Sequence, residues 1–68
     1  MTREYTVKFI FGNGTWFMCH VDCEYFDSVK EVATEIMNEH FGKYNYENEI
    51  NKRGGIAKVE IRKGDYHD

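Results

Sequence analysis

Thr15 to Glu24, T-W-F-M-C-H-V-D-C-E, is apolar on both sides of a strand, and it limits the fold more than any other stretch of the chain. Alternate side chains of a strand point to opposite faces of a sheet. Phe17, Cys19, Val21 and Cys23 therefore share one face, and Trp16, Met18 and His20 share the other. A chain of 68 residues has material to cover one face of a small sheet. The face with Trp16 and Met18 must then meet something outside the domain or be closed by another part of the chain.

The neighbouring segments supply the rest of a small domain. Tyr5-Thr6-Val7-Lys8-Phe9-Ile10-Phe11 alternates, with Tyr5, Val7, Phe9 and Phe11 on one side and Ile10 as the apolar exception on the other. Gly12-Asn13-Gly14 marks a hairpin. A two-residue loop would set Phe11 opposite Trp16, and a three-residue loop with Gly14 left-handed would set it opposite Thr15. The second is favoured because Phe9 then faces Phe17 and Val7 faces Cys19; a slip of one residue would exchange the faces of the strand. Ser28-Val29-Lys30-Glu31 has capping-box spacing and opens a helix over 29–41. Val29, Val32, Ala33, Ile36 and His40 form its apolar face, flanked by Met37 and Phe41, and Gly42 suits the position after its end. Residues 42–55 read as a long loop, with a short helix from Tyr46 to Arg53 as the alternative within it. Tyr46, Ile50 and Arg53 have helical spacing and Glu49 can pair with Arg53, but Asn45, Asn48 and Asn51 weaken the helix. Ile56–Lys63 alternates as a last strand, and residues 64–68 read as a frayed tail.

The expected fold is a single α+β domain over 1–68, with order ββαβ. It comprises a three-stranded antiparallel sheet of order 2-1-3 and one helix packed on the face bearing Val7, Phe9, Phe17, Val21, Val59 and Ile61, reached by a right-handed crossover. An aromatic fraction of 16% helps so small a core, because each ring buries much area. A net charge of -3 argues against direct nucleic-acid binding, which needs clustered Lys and Arg. No apolar run is long enough for a membrane span or a leader, so the expected location is the cytoplasm. Cys19 and Cys23 would stand about 13 Å apart on one strand, too far for a disulfide, and two free thiols fit a reducing compartment.

No chemistry is assembled by these spacings. Cys19-His20-x-x-Cys23 suggests a metal fragment, but on a strand His20 faces away from both thiols, so neither a metal site nor a cofactor is expected. His40 on the inner helix face could approach a cysteine, yet a buried thiol is a poor nucleophile; a helix-end role beside the last carbonyls suits His40 better, and no enzyme is expected. Glu31, Glu35 and Glu39 repeat every four residues on the outer helix side. With Asp22, Glu24 and Asp27 near in sequence they make an acidic ridge: a solvated face, or a surface matched to a basic partner. Ile10, Trp16, Met18 and His20 are the candidate contact face, unless Tyr44, Tyr46 and Ile50 fold over it.

The layout T-V-K-F-I-F-G-N-G-T-W-F-M-C-H-V, then D-S-V-K-E-V-A-T-E-I-M, then I-A-K-V-E-I-R resembles small early proteins of tailed bacteriophages. The likeness covers most of the chain and is one of layout, so no functional residue follows from it. It implies a host-takeover or anti-defence protein, of the anti-CRISPR kind, that inhibits by occupying a surface on a bacterial protein. The partner would be a nucleic-acid-binding nuclease or effector in the host bacterial cytoplasm, met by a surface that mimics nucleic-acid charge. The rival expectation is a homodimeric structural module in which Trp16 and Met18 meet their symmetry mates.

Overall fold

The computed structural model describes residues 3–64. Strand β1 (Arg3–Phe11) and strand β2 (Trp16–Cys23) are followed by a 3-10 turn (Phe26–Ser28), helix α1 (Val29–Phe41), a short helix α2 (Tyr46–Lys52) and strand β3 (Ile56–Lys63). The sheet has order β2-β1-β3, and both pairings are antiparallel. This is the expected α+β fold with α2 added. Of the expected frayed tail over 64–68, Gly64 is instead tied to β1, its N–H donating to the Glu4 carbonyl and its carbonyl accepting from the Thr6 hydroxyl; residues 65–68 lie outside the described residues.

The hairpin takes the three-residue loop. Phe11 N–H donates to the Thr15 carbonyl at 2.8 Å, and Gly14, at φ +87°, donates to the Phe11 carbonyl at 3.0 Å. The Asn13 side-chain oxygen accepts from the Thr15 amide (3.0 Å) and hydroxyl (2.6 Å). Val7 therefore faces Cys19 and Phe9 faces Phe17, as the gathering of apolar side chains requires. The loop also touches the far end of the chain. Gly12 N–H donates to the Gly55 carbonyl and Asn13 N–H to that of Arg53. A Cβ placed on Gly12 would lie 2.6 Å from the Gly54 oxygen, so this approach needs a residue without a side chain.

On the odd-numbered face Tyr5, Val7, Phe9, Phe11, Cys19 and Val21 are buried under α1. The helix presents Val29, Ala33 and Met37 as its innermost line, with Val32, Ile36 and Phe41 half-buried beside it. Met37 is thus central rather than flanking. His40 is exposed, a correction to its expected inner position. Its angle on the helix is inward, but the sheet ends beneath it: its ring rests on Phe17, the first inward residue of β2, with centroids 4.8 Å apart. The capping box does not form either. Ser28 belongs to the preceding 3-10 turn and already has a helical backbone (φ -90°, ψ -10°), and its side chain makes no cap bond. At the other end Gly42, at φ 105°, closes the helix by donating to the Asn38 and Glu39 carbonyls.

Residues 42–55 close the hairpin end of this same face. Ile50 packs against the core. The Arg53 guanidinium lies 4.8 Å from the Phe41 ring centroid and 5.8 Å from that of Phe11. Its Nη1 donates to the Glu49 carboxylate at 2.8 Å and to the Glu49 carbonyl at 2.7 Å. That hydrogen bond holds the Glu49 carboxyl below its ordinary value against an opposing desolvation, with the charges of Lys52 and Arg53 adding to it. A guanidinium stacked on two rings and tied back to its own helix explains why a segment with three asparagines becomes helical.

Candidate functional site

The even-numbered side chains of the three strands form the opposite face, and the register arranges them in rows. Lys58, Ile10 and Trp16 stand side by side, then Glu60, Lys8 and Met18, then Arg62, Thr6 and His20. Glu4 faces Asp22 at the end of β2. Among the described residues no helix or loop lies over these rows. Tyr44, which could have covered them, points elsewhere and is 93% exposed, while Ile50 packs on the other side of the sheet. Trp16 is 54% exposed; Ile10 and Met18 are half-buried by their neighbours.

Polar contacts hold this face in shape. Lys8 Nζ sits 4.8 Å from the Trp16 ring centroid, which fixes the indole by cation–π attraction. Lys58 Nζ and Glu60 Oε2 are 3.4 Å apart. The buried Thr6 hydroxyl donates to the Gly64 carbonyl at 2.8 Å. The same hydroxyl lies 3.3 Å from His20 Nδ1, which ties the His20 ring to the middle strand. The result is an apolar strip of Ile10, Trp16 and Met18 bordered by cations and carboxylates. It can bury area and orient a partner, and it offers no nucleophile.

The thiols and histidines do not converge. Cys19 is buried, and burial pushes its thiol above the ordinary value. Cys23 is half-buried and its Sγ–H donates to the Tyr25 carbonyl at 3.2 Å. Both are free, His20 lies across the sheet from them, and no group of three or more metal-ligating side chains occurs among the described residues. No described helix is long and apolar enough to cross a membrane.

Glu31, Glu35 and Glu39 are exposed on the outer side of α1 and make no ion pair among the described residues. Glu35 and Glu39 rim a shallow open groove with Asn38, Lys43 and Tyr46. The ridge and the Trp16 face are therefore on opposite sides of the molecule. A helix is about 10–12 Å across with its side chains, already more than the screening length of about 8 Å at physiological salt. They are two surfaces, not one. Sequence reasoning saw each but not their separation, and it missed Lys8 as the residue that braces Trp16. The signal was present: pairing Phe11 with Thr15 carries Lys8 to Met18, one row from Trp16.

No protein-family model matches the chain, and neither the curated proteins nor the solved structures contain a significant match to it.

Proposed function

We propose that this chain is a non-enzymatic binding protein that docks its uncovered sheet face on a protein partner and inhibits it. The observation that carries the reading is the strip of Ile10, Trp16 and Met18, left open in a domain whose helices pack on the other face. Aromatic and Met side chains in such a strip concentrate binding energy once water is excluded. If the resemblance in layout to phage early proteins is taken as the guide, the partner is a bacterial host or defence protein, met in a reducing cytoplasm that would keep Cys19 and Cys23 as free thiols. Charge mimicry of nucleic acid belongs to the Glu31, Glu35 and Glu39 ridge alone, which would steer a basic surface toward the opposite side of the domain.

Immobilised protein is exposed to bacterial lysate at low and moderate salt, beside the Trp16→Ala variant. Capture of a defined protein that Trp16→Ala releases faster supports the reading, and reversal of the three glutamates to lysine should instead slow association. A captured protein indifferent to Trp16, or no capture at either salt, defeats it.

A further inference from the structure

The free edge of β3 is complementary to itself, and we propose that it pairs with the β3 edge of a second copy of this chain about a two-fold axis. Gly64 N–H donates to the Glu4 carbonyl at 2.7 Å, so residues 64, 62, 60 and 58 are the ones that bond to β1. The amides and carbonyls of Val59 and Ile61 therefore point away from β1 along the open edge. Among the described residues β3 has no strand on that side. The side chains above the edge are also under-covered: Val59 and Ile61 are only half-buried, Ala57 is exposed, and Ile56 is 43% exposed.

Charge and burial together select a register. Antiparallel partners share a face, so a two-fold pairing must centre on a residue that meets its own mate. Two centres overlap most of Ile56–Lys63, namely Val59 and Glu60. Centring on Glu60 sets Glu60 against Glu60 and Lys58 against Arg62, and both pairings are repulsive. Centring on Val59 sets Lys58 against Glu60 of the mate, twice by symmetry, and on the helix side it sets Val59 against Val59 and Ile61 against Ala57. A shift to Ile61 would also pair opposite charges, Glu60 against Arg62, but it shortens the overlap and places Val59 beside Lys63, so burial decides against it. Lysines on an edge strand ordinarily deter such pairing, but here Glu60 lies where it answers Lys58. The bulge between Ile10 and Phe11 alters the ladder at Ile56 and leaves the central pairs regular. The product is a closed two-fold dimer with one continuous six-stranded sheet, edged by the two β2 strands, and both uncovered faces on one side. This pairing uses no residue of the Trp16 strip and stands or falls independently of the docking proposed above.

Sedimentation equilibrium of the intact chain tests it. We expect dimer at protein concentrations on the order of 100 μM. Lys58→Glu or Glu60→Lys turns two attractive cross-strand pairs into two repulsive ones and should weaken the dimer by about tenfold or more; the double variant restores it. Each variant is checked for its fold by circular dichroism. Under mild oxidation Val59→Cys should give a covalent dimer, because a hydrogen-bonded antiparallel pair has Cα atoms about 5.5 Å apart, within disulfide reach. Glu60→Cys and Ile61→Cys should cross-link far less. A monomeric wild type, a dimer unmoved by the single charge reversals, a dimer dissociated by Trp16→Ala, or preferred cross-linking at 60 or 61 would each overturn the proposal.

Discussion

On the helix-covered face Val7, Phe9 and Met37 have no exposed surface, whereas across the same strands Trp16 keeps 54% of its surface open. The two faces are made from alternate residues of the same strands, so local propensity does not separate them. The supply of covering material does. A helix of 13 residues is about 20 Å long and about 10 Å wide, enough to lie over two strands. It covers β2 and β1 and leaves Val59 and Ile61 of β3 half-buried. The short α2 is then engaged at the hairpin end through Ile50 and Arg53, and nothing among the described residues remains for the Trp16 side.

Substitutions can break this contrast. The largest effect is expected from Phe9→Ala, which empties the centre of the closed face and should cost about 3–5 kcal/mol in urea unfolding. A loss under about 1 kcal/mol would show that the face is not tightly packed. Next is Gly12→Ala. A methyl group 2.6 Å from the Gly54 oxygen forces the hairpin away from the Gly54–Gly55 turn, at about 1–3 kcal/mol. An unchanged midpoint would mean that the contact yields freely.

Trp16→Ala sharpens the comparison from the other side. It should change stability by no more than about 1 kcal/mol, mostly through the lost contact with Lys8. A loss as large as that of Phe9→Ala would mean that the Trp16 face is closed in the folded protein. The smallest effect concerns pH. The Glu49 carboxyl is held low chiefly by the Arg53 hydrogen bond. It therefore contributes stability above its unfolded pKa, and that contribution is lost as pH falls through the lower folded value. Glu49→Gln should lower the melting temperature slightly at neutral pH and lose its effect in acid. A difference that grows on acidification would contradict the assigned direction.

The sequence was informative where a short-range rule had one outcome. Alternation over 5–11 and 56–63 marks strands, and Gly12-Asn13-Gly14 with its apolar flanks selects the loop that Phe11 and Thr15 close. It was less informative where two local rules competed. Ser28 has capping-box spacing but is drawn into the 3-10 turn before the helix, and His40 has an inward angle but lies at the sheet's end, where only Phe17 of β2 lies beneath it. Tyr46–Lys52 is a poor helix by composition and is held by Arg53 stacking on Phe11 and Phe41, contacts between residues far apart in the chain. The candidate contact residues were legible as types, yet Ile10, Trp16, Met18 and His20 stand on one side of the molecule and Glu31, Glu35 and Glu39 on the other.

By itself, then, the sequence determined the strands, the main helix, the hairpin register and the two-faced character of β2, because period and turn chemistry act over a few residues. Only the tertiary structure decided that residues 42–55 leave the Trp16 face open, where α2 goes, and that the acidic ridge lies away from Trp16. Those outcomes depend on how far one helix can reach across three strands, and that reach is set by packing between segments distant in the chain.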